Sequence, residues 1–302
     1  MRRRPVLAAA ATAAILLAAR GAHAADPTFT FTSPDKASHD GWKASAQAGV
    51  NVSTGNAQAV SLSATGSVSH RSGDDRFSLD AFGAFARSRV DVAADTNGTP
   101  GIGPDEIHRV VQTTSRAWSL KGRYDRFVGA RDSLYGAVLA SGDEPAGKKL
   151  LAGAQVGVSR DVLRRGPSTV TLELGYDVAH QEYVATTPDL TVHSARFFAG
   201  YELTPAPVVG VKVSLELLTN LNAEPIASGR VGPFHDDRLV GRAELNLKLT
   251  DRGSLGVRVR GRYDSAPAPR PPPQGTSWQA GYVPLADRLD TVSELVFSFN
   301  FL

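Results

Sequence analysis

Arg258, Arg260 and Arg262 occupy alternate positions in the chain, and a second alternating set, Arg242, Glu244 and Lys248, precedes them. On an extended strand such spacing puts every member of a set on one face. With Lys212, Glu216 and Glu294 they form a charge ladder that supports two chemistries. One is a run of hydrated salt bridges between neighbouring strands, with Glu216, Glu244 and Glu294 as counter-charges. The other is an anion-selective path lined by arginine. A separate candidate is His180 with His193, which both fall on an apolar face. If their hairpin is symmetric about residues 186 and 187, the two oppose each other near a rim, where a lipid-cleaving enzyme would place a base. That mechanism needs a serine hydroxyl and a third group to orient the imidazole. The nearest serine, Ser194, faces the other way, and imidazole at headgroup level is the plainer reading. His235-Asp236-Asp237 beside Phe234 is sterically awkward for a metal and has no second cluster at ligand spacing, so it reads as a solvated loop. Zero cysteines exclude disulfides, thiolate nucleophiles and cysteine-zinc sites. The sequence contains no GxSxG, HExxH or Walker pattern. Gly101-Ile102-Gly103-Pro104 opens no strand-to-helix turn and is not a phosphate loop. No catalytic residue, metal or cofactor is therefore expected, and the chain reads as non-enzymatic.

The elements that carry these residues repeat with period two. Trp42, Ala44, Ala46, Ala48, Val50 and Val52 alternate with Lys43, Ser45, Gln47, Gly49, Asn51 and Ser53. After the turn residues Thr54-Gly55-Asn56, Val60 to Ser69 repeats the alternation, and the two make a hairpin. Further strands are expected near 76–92, 115–128, 133–142, 149–163, 168–184, 190–203, 208–222, 237–250, 254–264 and 289–301. In the first of these Phe77, Phe82 and Phe85 do not share a register, which points to a bulge. The total is about twelve, with no helical period to supply crossovers. Tight connections at 71–75, 129–132, 164–167, 204–207 and 250–253 alternate with long ones at 93–114, 222–236 and the stiff, proline-rich 265–288. Short turns at one end and long loops at the other describe an outer-membrane barrel with both termini in the periplasm.

The net charge of +3 needs to be read by position. Met1-Arg2-Arg3-Arg4, the apolar stretch Pro5 to Ala19, and Ala22-His23-Ala24 read as a secretory signal over 1–24. Its loss removes Arg2, Arg3, Arg4 and Arg20, so of 33 basic residues 29 remain against 30 acidic ones. The mature chain is balanced, and no nucleic-acid partner is implied. Residues 25–41 form a polar periplasmic lead and 42–302 the barrel.

Alternation alone leaves open a soluble sandwich with its apolar face inward. Charges on the polar face of successive strands, among them Glu173, Asp177 and the ladder itself, favour a wet lumen and a lipid-facing exterior, because a dry core does not hold them. At 42% hydrophobic the composition is too polar for a bundle of membrane helices and fits half-apolar strands.

The opening hairpin Trp42 to Asn56, with Gly122-Arg123-Tyr124-Asp125 and Leu174-Gly175-Tyr176, resembles the salt-induced outer-membrane protein family, a Gram-negative domain family without assigned function. The resemblance implies an envelope protein of the bacterial outer membrane, structural or related to salt and osmotic stress. A narrow channel for small solutes or anions, and a lipid-modifying enzyme, are the other classes. The alternating Leu295, Phe297, Phe299 and Phe301 are similar to the signal read by the barrel-assembly machinery, although Leu302 follows where an aromatic residue normally ends the chain. The implied partners are membrane lipid and, during biogenesis, that machinery. Lipid-facing Leu, Val and Phe serve equally at a subunit contact, so the pattern fits any oligomeric state.

Overall fold

In the computed structural model the described residues are 40–53, 58–93, 107–184, 189–226, 229–269, 285 and 288–301. The expected signal segment, nearly all of the periplasmic lead, Gly101 to Pro104 and most of the proline-rich loop lie outside them.

The strands are β1 (Gly41–Ser53), β2 (Gln58–Ser72), β3 (Asp75–Ala93), β4 (Ile107–Phe127), β5 (Asp132–Asp143), β6 (Lys148–Arg165), β7 (Ser168–Tyr183), β8 (Leu190–Ala206), β9 (Val209–Asn220), β10 (Glu224–Ile226), β11 (Gly229–Val231), β12 (Asp237–Lys248), β13 (Gly253–Asp264) and β14 (Leu289–Asn300). All but β10 and β11 close into one antiparallel barrel in sequence order, with β14 returning to β1. The twelve wall strands expected from alternation are these. A closed sheet bonds its ladder amides to neighbouring strands within the wall, which is what lipid demands.

The two faces of the wall differ as a membrane requires. Val138, Leu174, Leu215 and Phe297 stand exposed on the outside, whereas Lys121, Asp125, Glu173 and Arg196 are buried inside. Trp42, Phe77, Tyr124, Phe299 and Phe301 are exposed near the tight-turn end, at the level where aromatic girdles meet headgroups. No helix among the described residues is long and apolar enough to cross a membrane.

The structure revises three local readings. β4 starts at Ile107, well before residue 115, because Val110 and Val111 are adjacent apolar residues that hide the alternation. The bulge in the β3–β4 ladder falls at Ala86/Arg87, not among the phenylalanines. Phe82 is simply an inward residue: the Arg260 guanidinium lies 5.4 Å from its ring centroid. Finally, the loop after β9 contains a two-stranded hairpin, β10 paired with β11.

Candidate functional site

The lumen is filled at mid-height by a cross-braced set of charges. Arg123 on β4 reaches across to Glu173 on β7 with two hydrogen bonds, of 2.8 and 3.1 Å. The second oxygen of Glu173 also accepts from Arg196 Nη1 at 2.7 Å. Arg196, on β8, is fully buried and donates to Glu216 Oε1 at 2.5 Å and to Tyr135 Oη at 2.8 Å. Toward the turns, Arg123 and Arg76 share Asp125. Each guanidinium is met by a carboxylate, and Glu173 and Asp125 each accept from two arginines, the condition under which buried charge is tolerated.

The wall is shaped to hold this set. Tyr135 lies over Gly157 of β6 and Gly175 of β7, and a Cβ on either glycine would come within 2.6 and 2.4 Å of its hydroxyl. The Arg123 guanidinium stacks 4.2 Å from the Tyr135 ring centroid.

A second closure lies at the long-loop end. Lys148 Nζ on β6 approaches Asp264 Oδ2 on β13 at 3.9 Å, far around the barrel. Arg238 pairs with Asp236 at 2.9 Å, and Asn220 anchors the loop through the amides of His235 and Asp236 at 3.0 and 2.9 Å. Of the triplet His235-Asp236-Asp237, His235 is exposed as a solvated loop residue would be, but the two aspartates are drawn into the closure. Asp236 is buried and accepts from Ser265 Oγ at 3.0 Å, and Asp237 N donates to the same hydroxyl at 2.8 Å. Glu224, on the β10 hairpin, is also fully buried, with its nearest cation, Arg238, 4.0 Å away. Burial pushes its carboxyl up to about 7, against the pull of Arg238 and with the help of Asp236.

At the tight-turn end the lumen opens instead. A cavity of about 700 Å³ is lined by Lys43, Gln47, Thr65, Lys212, Lys248 and Ser298 among others.

The residues of the expected charge ladder are divided among these regions. Lys212 and Lys248 border the open cavity and pair weakly with Glu202 and Asp251, at 3.4 and 3.0 Å. Glu216 belongs to the mid-lumen brace. Arg258 pairs with Glu244 at 2.7 Å and approaches Glu294 at 3.7 Å, and it also donates to Gln47. Arg262 lies 3.4 Å from Asp264 at the outer closure. Arg242 and Arg260 are direct cross-strand neighbours. Alternation had marked Glu173 as inward but left Arg123, Tyr135 and Arg196 without a role. The usable signal was the inward run Lys121, Arg123, Asp125 on one strand, which needs a counter-charge from elsewhere.

The two histidines do not oppose each other. His180 faces Thr191 and His193 faces Val178, because the hairpin centre lies one residue earlier than symmetry about 186 and 187 would give. Nδ1 of His180 is 3.0 Å from Thr191 Oγ1, and Nδ1 of His193 meets the Tyr176 hydroxyl. Ser194 is buried on the lumen side. No described residue holds the second ring nitrogen of His180, the position a proton relay must fix.

An apolar outer wall, a charged interior and a closed meander together define a bacterial outer-membrane β-barrel. The chain belongs to the DUF481 family, described as protein of unknown function. The match covers residues 46–281, and so takes in nearly the whole wall up to β14. No curated protein matches the sequence. Among solved structures the DUF481 chain is similar to the NanC porin, at 10% identity and TM-score 0.44 over 85% of this chain and 97% of that one. It is also similar to the translocator domain of the autotransporter NalP from Neisseria meningitidis, at 14% identity and TM-score 0.42 over 88% and 90%. The β domain of the Bordetella autotransporter BrkA matches at 8% identity and TM-score 0.39, over 86% and 97%. At such identities these DUF481 likenesses are of barrel architecture and carry no activity with them.

Proposed function

We propose that this barrel is a non-enzymatic, non-conducting structural protein of the outer membrane, stabilised from within and serving the envelope under salt or osmotic stress. The supporting observation is the mid-lumen brace, in which Arg196 is fully buried between Glu173, Glu216 and Tyr135. A path for solutes needs mobile, hydrated charges, and these are fixed by reciprocal hydrogen bonds. The stress setting draws its support from the family resemblance, and rising protein abundance through a series of salt steps is the result expected. The aromatic face of β14 supports delivery by the barrel-assembly machinery.

Purified protein in a planar bilayer is expected to give a flat current trace at low and high salt. Discrete openings with anion preference, lost when Arg258, Arg260 and Arg262 are all replaced by Ala, would establish a narrow channel instead. The cavity at the tight-turn end supports that second reading, since it already leaves part of the lumen open. Labelled phospholipid is expected to survive incubation with the barrel, and its hydrolysis would overturn the non-enzymatic reading.

A further inference from the structure

Glycine stands in the wall for two different reasons. Gly157 and Gly175 make room for Tyr135, since a Cβ on either would strike its hydroxyl. Gly122 on β4 and Gly136 on β5 share the lipid-facing side with Leu120, Tyr124, Leu134 and Val138 and carry no such constraint. A Cβ would come no closer than 3.7 Å to a neighbour at Gly122 and 4.0 Å at Gly136, and neither residue has a positive φ. Glycine weakens a strand interior and often marks a place that something else approaches closely. Here Gly122, opposite Leu79 and Val138, and Gly136, opposite Tyr124, lie low in an outward groove of about 580 Å³ bounded by Phe77, Leu79, Leu120, Tyr124 and Val138. In lipid the gain from such a groove comes from van der Waals fit and not from burial, so shape separates a retained lipid from the bulk.

A second observation concerns the foot of the groove. Phe77 and Tyr124 belong to the aromatic level at the tight-turn end, and Asp75 and Arg126 stand opposite each other about 7 Å further along the strands. Asp75 Oδ1 accepts from the Tyr124 hydroxyl at 2.6 Å, and Arg126 Nη1 donates to the two Asp75 oxygens at 2.8 and 2.7 Å. Arg126 Nη2 lies 3.9 Å from Asp74 Oδ2. These side chains stay open to the headgroup region, from 42% exposed at Asp75 to 69% at Asp74. The neighbouring β4–β5 turn repeats the mixture, with Arg131 exposed beside the 3.5 Å pair of Asp132 and Arg160. A purely anionic headgroup would face carboxylates here. One that carries both a phosphate and a primary ammonium meets both signs, with phosphate oxygens accepting from the remaining N–H groups of Arg126 and the ammonium donating to the aspartates.

We propose that the groove over Gly122 and Gly136 holds an acyl chain of one phospholipid of the periplasmic leaflet, selected by Arg126, Asp74 and Asp75 for a headgroup with a phosphate and a primary ammonium. The site lies on the outer wall and does not depend on whether the lumen conducts.

The full-length barrel, folded in neutral detergent, is offered phosphatidylethanolamine, phosphatidylglycerol and phosphatidylcholine of the same acyl chains in separate mixed micelles. Native mass spectrometry reads the lipid retained and the number of barrels that carry it. One phosphatidylethanolamine per barrel is expected, retained about fivefold better than either of the others, as two exposed charge contacts allow. Gly136→Leu fills the groove and is expected to lose the retained lipid in all three micelles; Gly122→Leu takes its place if that variant does not fold. Asp74→Asn combined with Asp75→Asn is expected to keep a lipid but to pass the preference to phosphatidylglycerol, because Arg126 remains. If the pair does not fold, Asp74→Asn alone, at an exposed side chain, is expected to reduce the preference for phosphatidylethanolamine. A wild-type barrel that prefers phosphatidylglycerol or retains the three lipids equally would overturn the proposal, as would a filled groove that retains lipid as wild type does. A lipid-free pair of barrels would overturn it too, by giving the groove to a second copy.

Discussion

Two sectors of one lumen handle arginine in opposite ways. Between β4 and β9, Arg123 and Arg196 converge on Glu173, with Glu216, Asp125 and Tyr135 completing the shell. Between β12 and β14, Arg242 stands directly across the ladder from Arg260, and Arg258 pairs with Glu244 and approaches Glu294. The difference is one of arrangement and not of residue type. Where each arginine is set against carboxylates, buried charge acts as rigid filler; where two arginines meet across a ladder, like charges oppose the pairing.

The strongest way to break this comparison is to unbalance the balanced sector. Glu173→Gln leaves Arg123 and Arg196 without their shared carboxylate, though each keeps one other, and should cost about 3 kcal/mol, the lower end of the penalty for removing one partner of a buried ion pair. Urea unfolding in micelles, followed by the mobility shift between folded and unfolded barrel, measures it; a loss no larger than that of an exposed ion pair would mean that water already screens the brace. Next in size is Gly175→Ala. Its Cβ would sit 2.4 Å from the Tyr135 hydroxyl and 2.7 Å from the Val156 carbonyl, so strain of about 1–3 kcal/mol is expected. Adding Tyr135→Phe should recover part of it, and no recovery would place the strain in the backbone alone.

The smallest effect belongs to the outer closure. Glu224 titrates near 7, above the ordinary carboxyl range, so the folded hairpin prefers the neutral acid. Its contribution is present at acid pH and is lost as pH rises through about 7, by about 1 kcal/mol after allowance for solvent near the loop. The groups facing it are Arg238, Asp236, Asp264 and Asn220. Amide exchange across 224–231 should quicken from about pH 5 to about pH 8 beyond the intrinsic base catalysis of exchange, and Glu224→Gln should remove that excess.

The wall was legible because lipid and water impose their pattern residue by residue, and every strand that alternates shows it. It failed at Ile107, where Val110-Val111 breaks the phase, and a short hairpin such as β10–β11 is too brief to show a period. The lumen was legible only in part. Alternation states that Arg123, Glu173 and Arg196 point inward, but which of them meet is decided by barrel curvature, with β5 and β6 lying between Arg123 and its partner. Hairpin register has the same weakness. A shift of one residue in the centre between β7 and β8 moved His193 from opposite His180 to opposite Val178.

The amide of Phe301 donates to the carbonyl of Ala44 at 2.9 Å, so the last residues of the wall lie against the first. In topological terms the membrane sheet is a ring whose point of chain entry is arbitrary. A short peptide joining residue 301 to residue 41, with new ends cut at the exposed Gly73-Asp74 turn, would yield a circular permutant with the same wall, in which the β1–β14 junction becomes an ordinary hairpin and the present β2–β3 junction becomes the seam.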